Sequence, residues 1–119
     1  MQYMVLIYDS EAAWAELPPQ EAEKLFGAYM EYTQQMAKAG VLRAGEALKP
    51  VNTATTVRLR AGKVTTVDGP FAETKEQLGG FYLIEVESLD EALKWAAKCP
   101  SAAIGSIEVR PVSPTPSMT

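Results

Sequence analysis

The sequence predicts a fold of the α+β class, with two helices on one face of an antiparallel sheet. Residues 2–8 and 80–86 are almost wholly apolar, which is typical of central strands that are covered on both faces. Each of these segments is followed by a segment with helical periodicity, and a short hairpin signal separates the two halves. The resulting order is β-α-β, hairpin, β-α-β, which is the ferredoxin-like βαββαβ plan with an inserted β-hairpin.

The first half of the chain begins with the strand over residues 2–8, and residues 9–17 are predicted to form a loop. A helix begins at Pro18-Pro19, because proline is accepted in the first turn of a helix. It ends at Gly40, since glycine is common just past a helix C-terminus. A weaker strand, interrupted by a glycine, is predicted over residues 41–48.

The second half begins with the hairpin, in which residues 55–60 and 63–67 flank the turn signal Ala61-Gly62. After the second central strand, Ser88 opens a capping box of the form S-x-x-E, which predicts the start of the second helix. The side chains predicted to pack beneath this helix are Leu89, Ala92, Leu93 and Ala96.

The end of the chain changes composition after its last strand. Residues 106–112 alternate between apolar and charged side chains, as a half-buried strand does. Residues 113–119 are rich in Pro, Ser and Thr and are expected to be disordered. We therefore predict one domain over residues 1–112 and a C-terminal tail.

The apolar character of both faces of the central strands predicts an assembly. Helices cover only one face of the sheet in the predicted plan, so a monomer would expose a contiguous apolar patch. We predict a homodimer in which two sheets pack face to face around a shared interior, which is the arrangement called a dimeric α/β barrel.

Composition excludes several classes of function. The 119 residues include 11 basic and 15 acidic side chains, for a net charge of −4, and the scattered basic residues form no nucleic-acid-binding stripe. The chain has no histidine and one cysteine, which excludes a structural zinc site and a histidine-ligated haem. We predict no cofactor and assign no metal ligand, while a hard metal bound by carboxylates near Asp68, Glu46 or Glu73 stays open. No signal peptide or membrane span is expected, and the lone Cys99 fits a reducing compartment, so we predict a cytoplasmic protein.

The segment over residues 65–85, which contains Asp68-Gly69-Pro70-Phe71, resembles the YCII-related family, in the branch named for this DGPF motif. Residues 3–8, 39–42 and 108–112 are also typical of that family. The resemblance implies a bacterial protein with a ferredoxin-like fold, assembled as a dimeric α/β barrel. It implies hydrolase or lactone-directed activity in some relatives, but their suggested His–Asp pair cannot occur in a chain without histidine. Members of this branch are often encoded beside sigma factors, which implies a regulatory context.

The DGPF segment supplies the first candidate site residues. Asp68 is a candidate general base or ligand anchor at a strand end that lines the dimer interior, where burial would raise its pKa. The alternative is that Asp68 only bonds the backbone of its own turn. Glu73 and Lys75 share a face if the segment is extended, and Lys75 would then stabilise developing negative charge. If the segment is helical, both side chains belong to a solvated charged surface.

Three further residues are candidates for ligand binding. Arg43 is suited to an anionic group, although pairing with an acid of the same chain is the commoner role. Glu46 has small neighbours that leave room for a ligand, or it is a solvated glutamate on an edge strand. Tyr82 lies on a central strand and is suited to bind a carbonyl group, or it packs in the core with its hydroxyl satisfied.

These residues support more than one function. The first hypothesis is a cofactor-free enzyme that acts on a small carbonyl- or lactone-like metabolite, with Asp68 as its base. The second is a non-catalytic regulatory dimer that binds a small molecule and is associated with a sigma factor. The third is a structural dimer that contacts another protein.

Overall fold

The computed structural model describes residues 1–114 of the chain. A four-stranded antiparallel sheet has the strand order β2-β5-β1-β6, and a separate two-stranded sheet is formed by β3 and β4. The strands are β1 (Gln2–Asp9), β2 (Leu42–Ala47), β3 (Thr55–Arg60), β4 (Lys63–Asp68), β5 (Gln77–Glu85) and β6 (Ser106–Pro111), and the helices are α1 (Glu11–Ala15), α2 (Pro19–Lys38) and α3 (Leu89–Ala97). The predicted ferredoxin-like α+β fold with an inserted hairpin is confirmed.

The core lies between the helices and one face of the main sheet. Alternate residues of β1 are buried, and they pack with Tyr32 and Met36 of α2 and with Ala92 and Ala96 of α3. The side chains between these buried residues of β1 point to the opposite face, on which none of the helices within residues 1–114 packs. The core residues, in sequence order, are Tyr3, Val5, Ile7, Tyr32, Met36, Ile84, Val86, Ala92, Ala96 and Cys99.

The helix ends follow the sequence signals. Proline occupies the first position of α2, and Gly40 after its last turn has a φ of +74°, a value that glycine adopts without steric cost. The Ser88 side chain accepts a hydrogen bond from the Glu91 amide at 3.2 Å, as the capping box predicts. The expected burial of Leu89 and Leu93 is wrong, since both remain nearly half exposed on the outer face of α3.

A second difference concerns residues 9–17, which were predicted to form a loop and instead contain the short helix α1. Ser10 begins this helix, because its hydroxyl accepts a hydrogen bond from the Ala13 amide at 3.1 Å. The helix turns the chain sharply at the end of β1. It thereby places Trp14 next to the last residue of that strand.

Candidate functional site

A pocket with a volume of about 560 Å³ lies beside the carboxyl end of β1, on the helix-covered side of the sheet. Its size is within the range of small-molecule binding sites. The wall is mostly apolar and is interrupted by a few carboxylate and hydroxyl oxygens. The lining residues are Ile7, Asp9, Glu11, Trp14, Phe26, Tyr29, Thr33, Gly45, Glu46, Ala47, Leu48, Pro50, Gly79, Gly80, Phe81 and Tyr82.

Asp9, the last residue of β1, is the buried acid of this pocket. It continues the series of inward-pointing residues in β1, and only 8% of its surface is exposed. Trp14 Nε1 and Ser101 Oγ both donate hydrogen bonds to its Oδ2, each at 2.9 Å. The other carboxylate oxygen, Oδ1, has no hydrogen-bond partner within residues 1–114. Every fully buried side-chain oxygen or nitrogen in that range does have a partner, so Oδ1 cannot be fully buried. Oδ1 therefore keeps an open side, and it is the atom that Asp9 presents to the pocket.

A chain of hydrogen bonds continues from Asp9 into the core. Ser101 lies in the 3-10 turn Pro100–Ala103 and is completely buried, and it receives a hydrogen bond from the Tyr29 hydroxyl. Because that hydroxyl donates its only proton to Ser101, the Cys99 thiol must be the donor in its 3.5 Å contact with Tyr29. Burial raises the pKa of Tyr29, although the bond to Ser101 acts in the opposite direction, and burial also raises the pKa of Cys99. Both groups stay protonated, so the whole chain of donors points toward the Asp9 carboxylate.

The opposite wall of the pocket carries a second pair of hydroxyls. Thr33 Oγ1 donates to the Tyr29 carbonyl oxygen at 2.9 Å and lies 2.7 Å from the Tyr82 hydroxyl. Since Thr33 has a single hydroxyl proton, Tyr82 must donate in that second bond. The Tyr82 oxygen consequently offers an acceptor to the pocket, as the Asp9 Oδ1 does.

Glycines in β2 and β5 keep this wall thin. A Cβ atom at Gly45 would lie 2.5 Å from Tyr82 Cδ1, so no larger residue fits while the tyrosine ring keeps its place. A Cβ at Gly79 would lie 3.4 Å from Asp9 Oδ1 and would crowd its open side. The pairing of β1 with β5 is irregular next to these glycines, between Ile7 and Tyr8.

The rim of the pocket carries the acid Glu11, which is hydrogen-bonded to two neighbouring segments of the chain. The Glu11 amide donates to Gln77 Oε1, and Glu11 Oε2 accepts from the Val51 amide, both at 3.0 Å. Glu46 also lines the pocket, but it lies opposite Phe81 in the pairing of β2 with β5, so its exposed side chain belongs to the uncovered face of the sheet. The pocket lining in the described chain contains no lysine or arginine, so its polar side chains suit a neutral ligand that carries hydrogen-bond donors better than an anion.

Two of the residues predicted from the sequence line this pocket. The Tyr82 side chain forms part of its wall, whereas Glu46 lines it from β2 with its side chain on the opposite face of the sheet. The proposed contact of each residue with a ligand stays a prediction.

The other four predicted residues lie elsewhere and are not brought together with this pair. Asp68 is exposed at the end of β4, so the burial that was expected there is absent from the single chain. Glu73 lines a second, smaller pocket of about 270 Å³, and Lys75 is exposed nearby. Arg43 is exposed and donates to the carbonyl oxygens of Gly40 and Leu42, rather than to an acid. Their roles in binding or catalysis stay predictions.

The sequence analysis did not identify Asp9, Trp14, Tyr29 or Ser101 as site residues. A signal for Asp9 was present, because the two-residue alternation of β1 places it on the same face as the apolar residues at positions 3, 5 and 7. An acid on the buried face of a strand needs partners, and that requirement points to a polar site. Ser101 carries no comparable signal, since it lies in a turn 92 residues away along the chain.

Metal sites and membrane-spanning helices are both absent from the described residues. Across residues 1–114, no group of three or more His, Cys, Asp or Glu side chains is arranged to hold a metal ion. None of the helices in that part of the chain has the length and apolar character needed to cross a membrane.

Comparison with known proteins gives the family of the chain. An uncharacterised protein of Rhizobium meliloti is 42% identical over 115 residues, which covers 95% of this chain and 93% of that protein. Among solved structures, 5-chloro-2-hydroxyhydroquinone dehydrochlorinase from Burkholderia phenoliruptrix, in complex with 2,5-dihydroxybenzoquinone, has a TM-score of 0.55 at 16% identity, with coverage of 95% of this chain and 94% of that one. This second likeness concerns the fold. The YCII-related domain matches residues 1–116, and the chain belongs to the YCII-related family.

Proposed function

We propose that this protein is an enzyme that binds a small, neutral carbonyl- or lactone-like metabolite in its hydroxylated form, such as an enol or a phenol, in the pocket at the end of β1. The observation that carries the proposal is the Asp9 carboxylate, which is buried and fixed through Oδ2 while Oδ1 faces the pocket. A carboxylate held in this way is a positioned proton acceptor. This assigns to Asp9 the role that the sequence analysis gave to Asp68.

The chemistry proposed is proton abstraction. Asp9 Oδ1 accepts the proton of a ligand hydroxyl group, and the ligand becomes an enolate or phenolate whose charge is shared with its carbonyl oxygen. Tyr82 accepts a hydrogen bond from a second hydroxyl group of the ligand and so orients it. The apolar wall around Ile7, Trp14 and Phe26 covers the faces of a planar ring.

The structural neighbour helps in the choice of a probe. It is described as acting on a chlorinated hydroxyhydroquinone, which is a planar ring with several neutral hydroxyl donors. Hydroxyhydroquinone, handled without oxygen, therefore serves as the first probe, and benzoate serves as an anionic control of similar size. We expect hydroxyhydroquinone to raise the melting temperature, because a ligand that binds only the native state stabilises it by mass action, and we expect no effect of benzoate.

The test of the site is the pair Asp9→Asn and Asp68→Asn. An asparagine at position 9 still offers one oxygen to Trp14 and Ser101, but it replaces the acceptor Oδ1 with an amide donor. We expect Asp9→Asn to stay folded and to weaken hydroxyhydroquinone binding by about tenfold or more, which corresponds to about 1.4 kcal/mol. Asp68→Asn should bind as the wild type does. Unchanged binding by Asp9→Asn, or loss of binding only in Asp68→Asn, would contradict the proposal.

Turnover separates the enzyme from the alternative function. Proton abstraction alone leaves the mass of hydroxyhydroquinone unchanged, so the anaerobic incubation is run in D2O. The phenolate formed by Asp9 shares its charge with ring carbons, and a deuteron taken up there replaces a ring hydrogen, so mass spectrometry detects exchange that is faster with the wild type than with Asp9→Asn. Binding that depends on Asp9 without any turnover, across a panel of hydroxylated ring and lactone compounds, would instead favour a regulatory module associated with a sigma factor.

We also propose that the protein is a homodimer that packs through the uncovered face of its main sheet. Met4 lies opposite Leu83, and Leu6 lies opposite Phe81, in the pairing of β1 with β5. None of these four side chains is buried in the single chain, although they form the apolar centre of that face. Leu83→Arg should give a monomer in light scattering, whereas Leu83→Met should leave the dimer intact. A monomeric wild-type protein would contradict the dimer.

A further inference from the structure

The β3–β4 hairpin and the three residues that follow Asp68 project from the domain, and residues 55–71 are here called the arm. Within residues 1–114, β3 and β4 pair only with each other. Backbone and side-chain bonds fix the arm at its base, where the Gly69 amide donates to the Ala54 carbonyl oxygen at 2.7 Å. The radius of gyration is 16.6 Å, against about 13.5 Å for a compact domain of this length, as a protruding arm requires.

The two faces of the arm differ in chemistry. Val57, Leu59 and Val64 share one face, and 62%, 63% and 69% of their surfaces are exposed. The basic side chains of the arm lie on the other face and are also exposed; they are Arg58, Arg60 and Lys63. Phe71, just beyond the hairpin, is 81% exposed. An isolated two-stranded hairpin is at best marginally stable in water, and exposed apolar surface of this kind marks an interaction site.

Charge favours a second copy of the same chain as the partner. The arm has three basic residues and one acidic residue, for a charge of +2. Because the net charge of the whole chain is −4, the residues outside the arm carry a net charge of −6. The body of each copy thus has the opposite charge to the arm of the other. It also has the uncovered apolar sheet face described above.

We propose that the arm reaches across to a second copy of this chain and packs its apolar face on the body of that copy. Its basic face points the other way, and the net charge of the arm is attracted to the net negative charge of that body over a longer range. This inference rests on the homodimer proposed above, but not on the sheet face being its main interface. Contacts within a single chain do not account for the exposed apolar face of the hairpin, because β3 and β4 form a sheet of their own that does not pair with the main sheet. A contact with a second copy would account for that face.

The test compares three variants of the full chain. The apolar variant carries Val57→Thr, Leu59→Thr and Val64→Thr, since threonine keeps the preference for strands while it removes apolar surface. The basic variant carries Arg58→Gln, Arg60→Gln and Lys63→Gln. The control is Leu93→Gln on α3, which removes a partly exposed leucine far along the chain from the arm.

Analytical ultracentrifugation gives the dimer dissociation constant of each variant, and amide hydrogen exchange reports on the arm. We expect the apolar variant to weaken the dimer by about tenfold or more. The basic variant should weaken it less and should make it less sensitive to salt. Leu93→Gln should leave it unchanged. The arm amides should exchange slowly in the wild-type dimer and quickly in the Leu83→Arg monomer.

The outcomes separate the arm from the sheet face. If the apolar variant dimerises as the wild type does, and the wild-type arm amides exchange as fast in the dimer as in the Leu83→Arg monomer, the arm proposal is overturned while the sheet dimer stands. If Leu83→Arg stays dimeric and the apolar variant is monomeric, the sheet interface fails and the arm proposal is supported. A wild-type protein that is monomeric at all concentrations overturns both.

Discussion

The carboxyl end of β1 and the arm with its DGPF motif both place an acid at the end of a strand and close to glycine, but in opposite surroundings. Asp9 is buried, and two donors from distant parts of the chain fix one of its oxygens. Asp68 is exposed on a hairpin that touches little besides itself. A dense local motif therefore does not by itself make a polar site, because orientation and burial come from residues far away in sequence.

The largest effect that separates the two regions should come from removing each carboxylate. Asp9→Ala leaves the Trp14 indole N–H and the Ser101 hydroxyl without their buried acceptor, and each unsatisfied group costs about 1–3 kcal/mol. We expect the free energy of unfolding in urea to fall by about 2–4 kcal/mol. Asp68→Ala should change it by less than about 0.5 kcal/mol, as exposed substitutions usually do. If Asp9→Ala and Asp68→Ala lowered the free energy of unfolding by the same amount, the inference that only Asp9 is held by buried partners would be contradicted.

A second pair of substitutions compares the glycines of the two regions. Gly45→Ala places a Cβ atom 2.5 Å from the Tyr82 ring, which must then move into the pocket, at a cost of about 1–3 kcal/mol. Gly62→Ala in the hairpin turn meets no atom within 4 Å, and its cost of about 1 kcal/mol comes from its φ of +77°. Urea unfolding measures both. Only Gly45→Ala should also impair binding of hydroxyhydroquinone, and impaired binding by Gly62→Ala would contradict a site confined to the β1 end.

The fold was predictable from the sequence because its signals are local. Alternation in β1, the proline at the start of α2 and the capping box at Ser88 each specify an element through near neighbours. The candidate site was predictable only in part. Tyr82 lies on a strand that the sequence predicts and lines the pocket, and its contact with a ligand stays a prediction. The Asp9 network depends on Ser101, whose partnership is set by tertiary packing over 92 residues. The DGPF motif that begins at Asp68 was the main site prediction from the sequence. It lies on the arm, where few side chains from other parts of the chain are near enough to contact it.

The pH dependence of stability should originate at the β1 end. The pKa values of Tyr29, Tyr32, Tyr82 and Cys99 are all raised, in each case chiefly by burial, from ordinary values of 10.0 for tyrosine and 9.0 for cysteine. Below about pH 9 both the folded and the unfolded chain hold these protons, so the contribution to stability is complete. As the pH rises further, the unfolded chain loses its protons first, and stability falls until the folded groups also titrate.

Two measurements check this alkaline loss. Urea unfolding between pH 8 and pH 11, conditions chosen around the ordinary values above, should give a free energy that declines toward higher pH, and Tyr29→Phe should make the decline shallower. Absorbance near 295 nm should show phenolate forming at higher pH in the folded chain than in urea. Titration curves that superimpose in the two states would contradict the burial argument. The arm contains no tyrosine or cysteine, so none of this dependence can come from it.

The smallest contrast concerns single hydroxyl groups. Tyr82→Phe removes the 2.7 Å hydrogen bond to Thr33 in a partly buried wall, for which we expect a loss of about 0.5–1.5 kcal/mol. Thr65→Val in the arm removes an exposed 3.3 Å bond to the Arg58 carbonyl oxygen, and water replaces that bond at almost no cost. A double-mutant cycle of Tyr82→Phe with Thr33→Val isolates the pair, since Tyr82 can donate to Thr33 only while both hydroxyls are present. A coupling energy near zero would mean that Tyr82 directs its proton elsewhere, and the wall would then offer a donor to the ligand where we infer an acceptor.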